Sequence, residues 1–88
     1  MKVHVAFVCE QGCEFAVVVV RPSVMSGLRR ERDGAVRAYS DEFGVPAVLM
    51  IQNSRGTPTY YGRPDLVQLL ADRCADRLPW RECATRAA

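Results

Sequence analysis

Val3, Val5, Phe7 and Cys9 occupy alternate positions at the start of the chain, and after Glu10, Gln11 and Gly12 a β-branched run extends from Phe15 through Val20. Alternation with a period of two marks a strand, and two such runs across a short break mark a β-hairpin. A three-residue loop at 10–12 with Gly12 last suits a type I turn followed by a left-handed residue. Arg21, Pro22 and Ser23 end the second strand, since proline lacks the ladder donor, and Ser23 or Ser26 is placed to cap a helix. Helical spacing follows at Leu28, Ala35, Val36, Tyr39 and Phe43, closed by Gly44 and Pro46. The stretch reads as one long helix; Gly27 and the Asp33-Gly34 pair are its weak points, and a kink or two shorter helices is the alternative.

The second half restarts with the apolar residues 47–51, turns at 53–56 and returns through 57–61, where Pro58 assigns the strand to an edge. Pro64 with Asp65 opens a last helix that carries Leu66, Leu69, Leu70, Arg73, Cys74, Arg77 and Leu78 until Pro79. The predicted order is ββαββα. At an offset of 42, Arg21-Pro22-Ser23-Val24 falls on Arg63-Pro64-Asp65-Leu66, which suggests a ββα duplication. The expectation is an α+β fold: a four-stranded, mostly antiparallel sheet with the helices on one face, formed by residues 1–80, with 81–88 a partly disordered tail.

That arrangement leaves a second face to account for. Ala16, Val18 and Val20 point opposite to Phe15, Val17 and Val19, and residues 47–51 are apolar on both sides. With helices on one face only, a second copy of the chain is the economical cover. A homodimer through the sheet or its edge is therefore expected, with His4, Ala16, Val18 and Val20 on the dimer face. A ligand pocket between sheet and helices, or the Trp80 segment folded across the sheet, are the competing covers.

Composition narrows the function classes. Eighty-eight residues support one core, and 49% apolar with 25% charged residues is ordinary for a soluble globular domain. Twelve basic against 10 acidic residues, a net charge of +2, is too balanced to imply nucleic acid or an anionic membrane. The apolar runs fall far short of the ~20 residues of a membrane span. No export signal is recognisable, so the expectation is a cytoplasmic protein with reduced thiols.

Cys9 and Cys13 bracket the proposed turn and, with a three-residue loop, would face each other at the edge of disulfide reach. Glu10 and Glu14 beside them disfavour a thiolate. Cys74 and Cys83 lack zinc-knuckle spacing, so neither metal nor cofactor is expected. His4, the single histidine, points away from Cys9 along its strand, which argues against a nucleophile pair. Arg21, Arg29, Arg30, Arg32 and Arg37 interleave with Glu31, Asp33, Asp41 and Glu42 as on a solvated helix face. Tyr60 and Tyr61 with Arg55 and Arg63 form an aromatic and basic cluster suited to a ligand or partner.

Gly44-Val45-Pro46-Ala47-Val48-Leu49, then Gly56, Gly62 and Asp65-Leu66-Val67-Gln68-Leu69-Leu70, resembles the C-terminal strand-strand-helix of thioredoxin and glutaredoxin folds, with Pro46 at the position of the family's cis-proline. The resemblance covers about a third of the chain. In those families the cysteine pair opens a helix, whereas Cys13 here runs into the strand residues Glu14, Phe15 and Ala16, so no active site is carried over and membership is not assigned. The expected function is a homodimeric binding or interaction module without catalysis, for an unknown protein or small-molecule ligand. Thiol redox or metal binding through Cys9 and Cys13, and nucleic-acid binding through the arginines, are the alternatives.

Overall fold

In the computed structural model, which describes residues 2–52, 54–71, 73 and 77–84, the hairpin is one residue tighter at its turn than the glycine position suggested. Strand β1 (Lys2–Glu10) and strand β2 (Cys13–Val19) pair antiparallel with Glu10 opposite Cys13. Gln11 (φ 52°) and Gly12 (φ 78°) alone make the turn. Two successive left-handed residues are the signature of the type I′ turn, whose twist matches that of the flanking strands.

The stretch after the hairpin resolves into two helices, α1 (Pro22–Met25) and α2 (Arg29–Phe43). Arg32 holds them together: its Nη1 donates to the carbonyls of Met25 (2.8 Å) and Gly27 (2.9 Å), oxygens that the end of α1 leaves without helical partners. At the start of α2 the Glu31 carboxylate accepts from the Leu28 amide at 3.2 Å. The helix stops where Gly44 turns left-handed (φ 72°). The Ser40 hydroxyl donates to the Val36 carbonyl (2.7 Å) and accepts from the Ala47 amide (2.9 Å), so the end of α2 is tied to the first residue of the next strand.

That strand, β3 (Ala47–Gln52), lies parallel to β2, and β4 (Pro58–Tyr61) folds back antiparallel on it. Helix α3 (Pro64–Ala71) follows, and β5 (Trp80–Ala84) returns to pair antiparallel with β1. The sheet order is β4-β3-β2-β1-β5. The fold is α+β with a five-stranded mixed, mostly antiparallel sheet and three helices among the described residues. Four strands were expected; the fifth comes from residues assigned to the tail. Trp80 to Ala84 are ordered by the ladder that β1 offers on its free side, opposite β2. Residues 85–88 lie outside the described residues. Pro58 is at an edge, as its missing donor requires.

The second correction concerns the faces. Ala6, Val8, Phe15, Val17, Val48 and Met50 pack with Leu66, Leu70 and Leu78 on one side, where α3 lies. Val5, Ala16, Val18, Ala47 and Leu49 pack with Tyr39 on the other, with Val24, Ala35, Val36 and Phe43 of α1 and α2 around them. The helices thus divide between the two faces, and Ala16 and Val18, expected at a dimer seam, are 0% exposed beneath α2. Pro22 and Pro64 both open helices, as the proposed repeat required, but those helices pack on opposite faces. Helix α3 also ends at Ala71, short of the expected limit near Leu78; Leu78 reaches the core from beyond the helix. Cys74 lies outside the described residues. The peptide bond before Pro46 is trans. Among the described residues no helix is long and apolar enough to cross a membrane.

Two substitutions test this account. Gly34 lies inside α2 with open space where a Cβ would sit, so Gly34→Ala should raise unfolding stability by about 0.5–1 kcal/mol in urea titration. Ser40→Ala strips the Ala47 amide of its acceptor at a buried position and should lower stability by about 1–2 kcal/mol in the same measurement.

Candidate functional site

The residues expected as an aromatic and basic cluster lie on β4 and in the segments beside it. Tyr60 and Tyr61 alternate faces, and both are half-buried: Tyr60 packs against the core under α3, Tyr61 against the core under α2. The Tyr61 hydroxyl donates to Asp33 Oδ1 at 2.5 Å, and the Arg32 guanidinium lies 4.9 Å above its ring. These contacts join β4 to α2, so Tyr61 is framework. Arg63 is engaged by Asp65 two residues on, at 2.9 and 3.2 Å, and Arg55 is exposed in the turn before β4.

The cysteine pair is separated. A two-residue turn puts Glu10 opposite Cys13 and Cys9 opposite Glu14, so Cys9 shares a face with Phe7 on the α2 side while Cys13 shares one with Phe15 on the α3 side. Because side chains alternate, one residue fewer in the loop moves Cys13 to the other face. Cys9, Cys13 and the half-buried Cys83 are free thiols. Among the described residues no three His, Cys, Asp or Glu side chains gather as a metal site would require. His4 lies opposite Glu82 near the start of β1 and is exposed. It is on the face opposite Ala16 and Val18, because Val5 and not His4 pairs with Val18. Of the arginines, Arg32 is consumed by α1 and Tyr61, while Arg21, Arg29, Arg30 and Arg37 are exposed.

Three grooves compete as binding sites. One of about 770 Å³ lies between the hairpin turn and α3, lined by Glu10, Cys13, Asp65, Gln68 and Arg73. Its charges already satisfy one another, Glu10 with Arg73 and Asp65 with Arg63. The other two flank the end of β2, sharing His4, Val19 and Val20. The one on the α3 side, about 460 Å³, is walled by Met50, Ile51 and Trp80. The one on the α2 side, about 470 Å³, is walled by Val3, Val20, Val24 and Ala35.

The α2-side groove differs from the others in its polar groups. Tyr39, which packs parallel to Phe43 at 6.2 Å, is only 4% exposed and borders this groove. No residue hydrogen-bonds to its hydroxyl among the described residues. Arg21, Ser23 and Lys2 are among its lining residues, and Lys2 makes an exposed contact to Glu82 at 3.5 Å. No carboxylate lines the groove among the described residues. The sequence places Tyr39 only in the apolar stripe of a helix; its phenol, an apolar body with a polar tip, is the available signal.

Burial raises the Tyr39 phenol above its ordinary value of 10.0, because the phenolate would lose its hydration. A raised folded value means that folding favours the neutral phenol. The associated stability is complete below pH of about 10 and is lost as the pH rises through the folded value. Thermal unfolding at rising alkaline pH should therefore show a loss of stability that Tyr39→Phe reduces, and a uniform loss in both proteins would refute the assignment. Comparison with known protein families, with curated proteins and with solved structures finds no match to this chain.

Proposed function

We propose that the chain is a small binding module without chemistry of its own, and that its ligand is a small molecule occupying the groove between the end of β2 and helices α1 and α2. The observation that carries this reading is the lining of that groove, in which the apolar Val3, Val20, Val24 and Ala35 stand with the phenol of Tyr39 and with Lys2 and Arg21 as the charged residues. An apolar cleft with a few convergent polar groups is the usual form of a small-molecule site. The location also fits the general habit of sheets with parallel strands, which bind ligands beyond the carboxyl ends of those strands.

The homodimer expected from the sequence rested on an apolar sheet face without a cover, and α2 and α3 now supply one for each face. The reading therefore does not require a second copy. Thiol exchange within the hairpin loses its geometric support because Cys9 and Cys13 are on opposite faces. The nucleic-acid alternative keeps the exposed Arg21, Arg29 and Arg30 but loses Arg32, which is bound to the carbonyls of Met25 and Gly27.

The test is amide chemical-shift mapping during titration with 1-octanol, an uncharged apolar probe. Shifts should concentrate at Val20, Val24, Ala35 and Tyr39, and Ala35→Trp, which fills the groove, should abolish them while leaving the remaining spectrum folded. Shifts gathered instead around Cys13 and Gln68, or none at saturation, would sink the proposal.

A further inference from the structure

Resting on the groove reading, we propose that the ligand is an apolar monocarboxylate, with its hydrocarbon against Val3, Val20, Val24 and Ala35 and its carboxylate at the Arg21 guanidinium. Three features of the groove bear on this. First, its walls are apolar over the greater part, which selects a hydrocarbon body. Second, the charged residues that line it are of one sign. The chain has 12 basic and 10 acidic residues, yet the charged residues that line this groove, Lys2 and Arg21, are both basic. A cavity lined by one sign of charge favours the opposite sign in its occupant. Third, Arg21 is exposed and has no ion-pair partner among the described residues, in contrast to Arg63 and Arg73, which are paired with acids.

The chemistry of the head group follows from the number and kind of donors. A guanidinium presents two parallel N–H bonds to a carboxylate, and the hydroxyls of Ser23 and Tyr39 supply neutral donors at the same groove. A dianionic phosphate would call for a glycine-rich run of backbone N–H groups or a cluster of arginines, and the sequence that enters α1, Val19-Val20-Arg21-Pro22-Ser23, has neither and loses one backbone donor to Pro22. The cleft of about 470 Å³ suits a single small molecule with one charged end.

Calorimetric titrations of octanoate, 1-octanol and acetate into the intact protein separate the parts of the proposal. Octanoate should bind more tightly than either of the others. Arg21→Gln, an exposed substitution outside the core, should weaken octanoate by roughly three- to tenfold and leave 1-octanol unchanged. Tyr39→Phe should weaken octanoate in the same direction. If octanol binds as well as octanoate and Arg21→Gln has no effect, the carboxylate assignment is overturned while the groove reading stands. If acetate equals octanoate, the site takes an adventitious anion only and the apolar part is overturned. If none of the three binds, both the ligand class and the groove reading fail.

Discussion

The structure depends on one constraint: β2 and β3 are apolar on both faces and lie side by side at the centre of the sheet, so the chain must cover them twice. Phe15 and Val17 face one way and Ala16 and Val18 the other, and all four are 0% exposed. The two strands run parallel, and parallel neighbours need a long crossover. That crossover, α1 and α2, covers one face on its way back, and α3 is left to cover the other. The remaining strands follow from the same demand. With β1 on one side and β4 on the other, the central pair has no open edge, and β5 extends the sheet beyond β1. Close packing at the centre shows in Gly62, where a Cβ would come within 3.3 Å of the Ala47 carbonyl oxygen and the Val48 Cα.

The crossover is held at both ends by polar contacts rather than by apolar burial alone. At its start Arg32 satisfies the α1 carbonyls and lies over Tyr61, whose hydroxyl is bound by the neighbouring Asp33, so α1, α2 and β4 share one small network. At its end Ser40 bridges α2 to β3. Between them an aromatic set fixes the height of the helix above the sheet: Phe43 meets Phe7 of β1 edge to face at 5.5 Å and lies parallel to Tyr39. The orientation of Tyr39 toward the groove is therefore set by its aromatic neighbour and by the strand beneath it. Arg81 of β5 lies 5.3 Å above the Phe7 ring and carries the same cluster to the edge of the sheet.

Much of this was legible in the residues. The hairpin, the stop at Gly44, the edge position of Pro58 and the start at Pro64 are all local, and local chemistry specifies them; the long helix expected across Gly27 is instead divided there, while Gly34 stays inside α2. Two features turned on non-local choices. Period-two alternation reports that both faces of a strand are apolar but not which helix covers each, so the expectation of helices on one face gives way to α3 on one face and α2 on the other. The segment Trp80-Arg81-Glu82-Cys83-Ala84 carries two charges among five residues and reads as a tail, because an edge strand with one polar side needs no continuous apolar pattern; β1 supplies the order. The cysteine reading failed for a smaller reason. Gly12 is left-handed in either loop, but Gln11 takes that conformation too, and the shorter turn that results sends Cys9 and Cys13 apart.

The same physics explains why the groove escapes a reading of the sequence and why it exists. Helices α1 and α2 bring apolar side chains to the face near the end of β2, and between them Ser26, Gly27 and Leu28 form a joint that is not helical. Val3 of β1 and Val20 beyond β2 are left with partial cover, and the space beside them is what Val24, Ala35 and Tyr39 border. A cavity of this origin would be closed by larger side chains if packing alone governed the site. Ala35 is small, Tyr39 brings a phenol to the lining, and the charged residues of the groove, Lys2 and Arg21, are both basic. Those are the features on which the proposed ligand rests, since a packing-only solution would have filled the space with apolar side chains.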